Sequence, residues 1–416
     1  MNLFLYNLFI SCYYASIRVA AFFGNQKAKQ WIGGRKNIFQ KLIELRANNS
    51  ELIWFHCSSL GEFEQGRPVM EKLRMQNSSR NIGSRIVLTF FSPSGYEVRK
   101  NYSGADFIFY LPLDTMQNAR RFIELVNPDA VYFVKYEYWH HYFHSLKEKN
   151  IPLYIVSAIF REDQVFFRWY GKFFRNMLKC VTHFFVQDEA SLKKINALGF
   201  NNAIVAGDTR FDRVSEIVNH QKEIPLIEKF AYRKRVIVAG STWIEDERLL
   251  TYLELSTLNY KLVIAPHEIS EQRISEIVKL LGTNTLRYSQ ATEQNISEAD
   301  VLIIDSIGML SSLYKYGWVT YVGGGLSKGI HNILEAAVYG KPVFFGPNFH
   351  KAAEAKALIE KGGAFSVNNF NGLKSHLEKF LKDDSAYSSA CEVSRKFVAE
   401  NTGAAEKIIQ FTQKII

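Results

Sequence analysis

Two carboxylates, Glu62 and Glu137, and one guanidinium, Arg210, are the side chains best placed to do chemistry in this chain. Glu62 lies in Ser58-Ser59-Leu60-Gly61-Glu62-Phe63, directly after an apolar run that reads as a buried strand. Ligand sites in open α/β sheets form at the carboxyl ends of strands, so a carboxylate there can serve as a base. A structural role is the competing reading, because the dipole of a helix favours an acidic residue in its first turn. Glu137, in Val134-Lys135-Tyr136-Glu137-Tyr138-Trp139, also stands just past a strand. Burial among its aromatic neighbours would raise its pKa, and exposure would pair it with Lys135. An aromatic-rich helix start has the same appearance. Arg210, in Gly207-Asp208-Thr209-Arg210-Phe211-Asp212, carries a planar and permanent charge suited to a phosphate.

A second group of residues suits a nucleotide. Tyr321–Pro347 reads as a buried strand, a glycine loop, a helix carrying Asn332 and Glu335 in its first turn, and another buried strand. Glycines such as Gly324 and Gly325 let backbone amides approach a phosphate, a helix start favours the anion, and an early glutamate can accept from ribose hydroxyls. Three glycines before a helix are also an ordinary tight turn. Three further loops follow expected strands: Gly240-Ser241-Thr242, Ala265-Pro266-His267-Glu268 and Asp305-Ser306-Ile307-Gly308. Each offers backbone or hydroxyl contacts, although a lone histidine such as His267 is more often a satisfied structural residue. No metal site is expected. Glu245, Asp246 and Glu247, and Asp383-Asp384, fall in polar helical patterns and read as solvated faces. The four cysteines are scattered without metal spacing.

The elements that must position these residues follow from hydrophobic patterning. Leu52–Cys57, Ile86–Phe91, Ala130–Val134, Leu153–Val156 and His183–Val186 form one series of continuous apolar runs. Val236–Ala239, Leu262–Ala265, Val301–Ile304, Val319–Val322 and Val343–Phe345 form another. Continuous rather than alternating runs imply parallel strands covered on both faces and joined by right-handed crossovers. A chain of 416 residues exceeds what one core supports, so two α/β domains of roughly 200 residues each are expected. Hydrophobic content of 47% with 22% charged residues excludes wholesale disorder. The formal charge of +10 points to anionic partners, yet zinc-finger spacing and basic heptad helices are absent, so nucleic acid is not expected.

Met1–Phe23 is nearly uncharged and strongly aromatic. Basic residues do not precede it, as they would in a signal peptide. On a helical wheel Asn7, Ser11, Arg18 and Asn25 share a narrow stripe, the pattern of a helix lying in a bilayer interface, while a tilted span remains an open alternative. Lys27, Lys29, Arg35 and Lys36 follow and place the body of the protein on the cytoplasmic side. Phe160–Lys179 mixes aromatic and basic residues, which suits either a lipid surface or a helix packing its rings into the core.

Taken in order, these motifs resemble the 3-deoxy-D-manno-octulosonic acid (Kdo) transferase family of lipopolysaccharide synthesis. The family's hydrophobic anchor corresponds to Met1–Phe23, its Ser-x-Gly-Glu loop to Ser59–Glu62 and its Glu-Trp segment to Glu137–Trp139. Its Gly-Ser-Thr turn matches Gly240–Thr242, and its most specific block matches Gly323–Pro347. The resemblance implies a GT-B fold, in which two Rossmann-like domains enclose a cleft. Residues 1–25 would be a membrane anchor, 26–215 the acceptor-binding domain and 216–416 the domain that binds CMP-Kdo.

By the same resemblance Glu62 is the general base, and Glu137 and Arg210 stabilise the transition state. Ser241, Thr242, Pro266, His267, Ile307, Gly308, Met309, Gly324, Gly325, Asn332, Ile333, Leu334 and Glu335 stand where the family binds its donor. The implied reaction is inverting transfer of Kdo from CMP-Kdo to a lipid A precursor at the inner membrane, without metal or other cofactor. The chain departs from many relatives, which carry Arg at His267, Glu at Met309, Lys at Arg210, Pro at Ile333 and a second Glu at Lys135. Two other classes are compatible with the residues: a GT-B enzyme using a UDP-sugar, and a non-catalytic membrane-bound sugar-nucleotide binder.

Overall fold

The computed structural model describes residues 2–43, 45, 51–79, 83–219, 223–253, 260–282 and 284–413. Contacts divide the chain into two units, Met1–Arg213 with Thr402–Ile416, and Val214–Asn401. Each is built on a seven-stranded sheet in which every pairing is parallel.

The first sheet contains β1 (Leu52–Cys57), β2 (Arg85–Phe90), β3 (Phe107–Tyr110), β4 (Ala130–Val134), β5 (Leu153–Ala158), β6 (His183–Val186) and β7 (Ala203–Val205). Their spatial order is β3-β2-β1-β4-β5-β6-β7. The second sheet contains β8 (Arg235–Thr242), β9 (Tyr260–Pro266), β10 (Thr285–Arg287), β11 (Val301–Ile303), β12 (Val319–Val322), β13 (Val343–Phe345) and β14 (Ala364–Ser366), in the order β10-β11-β9-β8-β12-β13-β14. The central strands β1, β4, β5, β9 and β12 are buried at every position, as their unbroken apolar runs require. All ten runs expected from the sequence are strands. The four strands it did not show, β3, β7, β10 and β14, are the edges of the two sheets. An edge strand lacks one neighbour and is only half-covered, so it can be short: these four span three or four residues each, and β7 and β10 have no fully buried residue.

Helices cover both faces of the first sheet, leaving one core around Trp54, Phe122, Phe133 and Tyr142 and another around Phe55, Phe63, Met70 and Tyr132. The C-terminal helix Ala404–Thr412 was expected within a second domain of residues 216–416. It packs instead into this second core through Ala405, Ile408 and Ile409, and the boundary between units falls after Arg213. Periodicity shows that a helix has an apolar face, not which core will receive it. The chain's return is tied down by Asp212, whose carboxylate accepts from the amides of Gly403 at 2.8 Å and Ala405 at 3.4 Å.

The first helix, Leu3–Phe22, is long and apolar enough to cross a membrane. It rests on the first unit through Tyr6 and Ile10. The tyrosine hydroxyl donates to the carboxylate of Asp114, which caps the helix His140–Glu148 by accepting from the amides of His141 and Tyr142, both at 3.1 Å. Two of the four residues of the polar stripe read from the sequence are engaged by the protein itself, while Ser11 and Arg18 stay exposed. The Asn7 side chain pairs with the His141 ring at 2.7 Å, and Asn25 caps the next helix, Gln26–Gly33, through the Ala28 amide. What remains outward is an apolar face of Phe4, Leu8, Phe9, Val19, Phe22 and Phe23. Arg35, expected as a cytoplasmic flanking charge, is a brace. Its guanidinium lies 3.7 Å above the Trp31 ring and donates to the carbonyls of Trp31, Phe91 and Leu111, and burial pulls its pKa down to about 9.

Asp212→Ala leaves the Gly403 and Ala405 amides without their acceptor. The expected loss is about 1–2 kcal/mol of stability, the range found for removed helix caps. Chemical denaturation of both proteins measures it, and no change would place the C-terminal helix elsewhere.

Candidate active site

The first sheet reverses its order of growth between β1 and β4, which are paired neighbours. Crossovers on either side of such a point leave to opposite faces and open a crevice at the carboxyl ends of the strands. Glu62 and Glu137 follow these two strands. Glu62 sits in the first turn of the helix Leu60–Ser79 and receives the Ser59 hydroxyl. Its two readings thus share one position: the dipole favours the charge, and the loop delivers it to the crevice.

Past β4 the backbone of Lys135 enters the left-handed region at φ 67°, a conformation that costs a non-glycine residue of order 1 kcal/mol. The turn carries Tyr136 and Glu137 out of the strand. The carboxylate of Glu137 accepts from the Trp139 indole N–H at 2.9 Å, and the same oxygen stands 3.5 Å from His56 Nε2. Tyr136 accepts from Arg161 at 3.0 Å, and the charges of Lys135 and Arg161 lie 5.2 and 5.3 Å from its ring centre. Burial raises the pKa of the Tyr136 hydroxyl, Arg161 and then Arg210 oppose the rise, and Glu62 reinforces it. The buried Cys57 thiol is likewise raised by desolvation first, then by Glu62, Glu137 and Glu64. These shared influences bring Glu62, Glu137 and Arg210 into one neighbourhood.

Arg210 opens the helix Thr209–Asn219 and is oriented by Asp208, whose Oδ2 receives Nε at 2.8 Å and Nη2 at 2.6 Å. Sequence reasoning missed His56 and Glu64. His56 is a polar residue inside the apolar run Leu-Ile-Trp-Phe-His-Cys, and that interruption was its signal. Glu64 links Arg99 at 2.7 Å to Arg213 at 3.0 Å, partners distant in sequence that no local pattern announces.

The second sheet reverses between β8 and β12, and the residues expected to hold the donor gather at its strand ends. Ser241 adopts φ 53° at the end of β8, and the Thr242 hydroxyl is buried, donating to Glu247 at 2.9 Å. Pro266 ends β9. His267 is not solitary: its ring stacks on Trp243 at 4.7 Å and on His331 at 4.5 Å, and the Trp243 indole N–H donates to His331 Nε2 at 3.2 Å. Burial, then the neighbouring His267, lowers the His331 pKa to about 4, so its ring is neutral near pH 7. Lys328 places its ammonium 3.5 Å from the centre of the Trp243 ring. Ile307 is almost fully exposed, Gly308 adopts φ 90°, and the Met309 sulfur accepts from the Ser306 hydroxyl at 3.0 Å.

The glycine loop differs from its expected form. The helix after it is a single turn, Leu334–Ala337, and Asn332 precedes it, accepting from the Leu334 amide and donating to Glu335 at 3.1 Å. One turn carries little dipole. Ile333 and Leu334 point into the core and offer a ligand only backbone. Several loop amides are already used: Gly323 donates to the Gly240 carbonyl, and Gly324 to Asp246. A Cβ on Gly323 would strike Ser241 and Thr242, and one on Gly325 would strike the Gly346 backbone. These two glycines therefore allow loops to pack backbone against backbone.

Asp246 and Glu247, expected on a solvated face, are fully buried. Asp246 accepts from Trp243 N, Gly324 N and Tyr321 Oη; Glu247 pairs with Arg273. Partners from β12 and the loop after it make this carboxylate the clasp of the site. Desolvation raises the pKa of both acids, with hydrogen bonds and, for Glu247, Arg273 opposing.

Among the described residues no group of three or more His, Cys, Asp or Glu side chains is arranged to hold a metal ion.

Residues 34–213 match the sequence model of the 3-deoxy-D-manno-octulosonic-acid transferase (kdotransferase) family. Over that stretch the chain is similar to the Kdo transferase family. The 3-deoxy-D-manno-octulosonic acid transferase of Rickettsia typhi is 25% identical over 93% of this chain and 82% of its own length. That of Aquifex aeolicus is 28% identical over 83% of this chain and 90% of its own. A bifunctional glycosyltransferase/methyltransferase of Fusobacterium nucleatum is 28% identical over 86% of this chain, which spans only 56% of that longer protein. Among solved structures, UDP-GlcNAc 2-epimerase from Neisseria meningitidis superposes with a TM-score of 0.63 at 17% identity, over 88% of this chain and all of the epimerase. MurG from Acinetobacter baumannii gives 0.55 at 12% identity, over 88% and 99% of the two chains. These superpositions show that the fold of this chain is GT-B.

Asp246→Asn keeps the size of the side chain but replaces one acceptor oxygen by a donor, setting it against an N–H or hydroxyl donor. A stability loss of about 1–3 kcal/mol is expected, read by denaturant titration; an unchanged midpoint would show that the clasp contributes nothing.

Proposed function

We propose that this protein transfers Kdo from CMP-Kdo to a hydroxyl of a lipid A precursor, with inversion and release of CMP. The observation that carries the reading is the pair of carboxylates at the switch point of the first sheet, Glu62 after β1 and Glu137 after β4, with Arg210 nearby. Glu62 takes the proton of the acceptor hydroxyl as its oxygen bonds to the anomeric carbon of Kdo. The bond from that carbon to the phosphate oxygen breaks, and its electron pair leaves with CMP. One base suffices for such a displacement. The Arg210 guanidinium, held by Asp208, stabilises the negative charge that grows on the departing phosphate, and Glu137 faces the positive character developing at the sugar carbon. The leaving group carries a single phosphate, which side-chain cations can balance, so the reading requires no metal. In the second unit Asn332 and Glu335, with the loops ending β8, β9 and β11, supply the contacts for the cytidine monophosphate.

The acceptor's lipid is matched by the first helix. Its outward face is apolar, Lys27 and Lys29 follow it, and the protein's net charge is +10, a combination suited to an anionic membrane surface. The body of the chain then stands on the cytoplasmic side of the inner membrane.

Glu62→Gln should lower Kdo transfer by about 10²–10⁴-fold, the usual contribution of a general base, while CMP still raises the melting temperature. Mass analysis of the lipid product after incubation with freshly generated CMP-Kdo tests this. Unchanged turnover removes Glu62 from its role, and stabilisation by UDP rather than CMP removes the donor assignment.

Binding to vesicles containing phosphatidylglycerol should fall at least tenfold in Phe4→Asp/Phe9→Asp. Sedimentation measures it, and equal binding of both proteins would place the membrane contact elsewhere.

A further inference from the structure

We infer that His56 is a positioning residue for Glu137, holding the carboxylate through a Trp54–Thr89–His56 relay inside the first sheet; this rests on the transferase reading of Glu137. His56 is fully buried, next to last in β1, with its ring 4.7 Å from that of Phe133. A histidine in such a place needs partners for both ring nitrogens. Nδ1 lies 2.9 Å from the Thr89 hydroxyl, which receives the Trp54 indole N–H at 2.8 Å. The threonine has one proton to give and two acceptors near it, His56 Nδ1 at 2.9 Å and the Phe55 carbonyl at 3.3 Å. A proton on Nδ1 would send the threonine proton to Phe55 and set the bare lone pair of Nε2 against the Glu137 carboxylate, an acceptor only, so the arrangement favours Thr89 donating to Nδ1. Nδ1 is then the acceptor, so the neutral ring carries its proton on Nε2.

Nε2 is buried and has no hydrogen bond of normal length, and the group in front of it is Glu137 Oε2 at 3.5 Å. An unmade hydrogen bond on a buried donor is costly, whereas a movement of about 0.5 Å by the carboxylate would complete it within the usual N–H to O range. Glu137 already has Trp139 Nε1–H on that same oxygen. Two ring N–H donors, one from β1 and one from the segment after β4, converge on Oε2 and turn Oε1 toward the crevice. Trp54 and Thr89 belong to β1 and β2, so the carboxylate that follows β4 is referenced to three adjacent strands.

Two substitutions separate positioning from packing. Gln reaches with its amide nitrogen to the place of Nε2, whereas Asn reaches only to that of Nδ1. His56→Gln should keep kcat within about fivefold of the natural protein; His56→Asn should lower kcat about 10²-fold with little change in the acceptor KM, the loss that a misplaced catalytic group produces. A packing role alone predicts similar losses for both, and that result overturns the proposal. Nitrogen-15 NMR of the unliganded natural protein provides an arm independent of turnover and of variant folding. The His56 ring should show its proton on Nε2, with a shift that moves in Glu137→Gln. A proton on Nδ1, or an Nε2–H indifferent to Glu137→Gln, overturns the inference even if transfer is confirmed. Absence of Kdo transfer by the natural protein, with the NMR result as expected, would instead defeat the assigned reaction and leave the relay standing.

Discussion

Parallel strands cannot be joined by tight turns, and every crossover must return over one face of the sheet in a right-handed sense. A sheet that grows in both directions from its first strand must therefore have one place where neighbouring connections depart to opposite faces. In the first unit that place is β1 and β4, and in the second it is β8 and β12. The groups with chemical capacity cluster at these points because the backbone there has carboxyl ends open to solvent and no helix covering them. Glu62, Glu137, Ser241 and the loop from Gly323 follow from that one constraint.

The two units meet the constraint with different materials. In the first, neighbouring side chains orient each charged group: Trp139 and His56 face Glu137, Ser59 donates to Glu62, and Asp208 accepts from Arg210. In the second, buried acids organise the backbone. Asp246 gathers amides from two segments and the Tyr321 hydroxyl, so that the glycine loop is shaped before any ligand arrives. A buried carboxylate is tolerable because both of its oxygens accept hydrogen bonds from the protein, and Asp246 and Glu247 each meet that condition. The loop glycines serve the same shaping, admitting the backbone of β8's end against Gly323 and that of Gly346 against Gly325.

The first helix joins the scaffold to its proposed lipid surface by similar means. Tyr6 and Asn7 are spent on Asp114 and His141, and Tyr13 stacks on Phe91 at 5.9 Å, which itself contacts Trp139 at 4.7 Å. The donor that holds Glu137 thus leans on an aromatic layer to which the helix contributes. An amphipathic pattern read along a wheel assumes that polar means outward; here Asn7 is turned to a partner in the protein and Ile10 is buried beside it, while Ser11 and Arg18 stay exposed among apolar neighbours.

Sequence alone determined the fold class, the ten inner strands and the positions of Glu62 and Glu137 relative to strand ends. Those features are written in local periodicity and in motifs a few residues long. It did not determine the edge strands, the length of the helix after the glycine loop, the unit that owns the C-terminal helix, or the partners of Asp246, His56 and Glu64. Each of these depends on groups far apart in the chain: Asp212 and Gly403 are separated by 191 residues, Asp246 and Gly324 by 78. Burial turns a polar residue from a surface charge into a clasp or a relay. Only the tertiary structure decides burial, since it alone brings the distant donor to the acceptor.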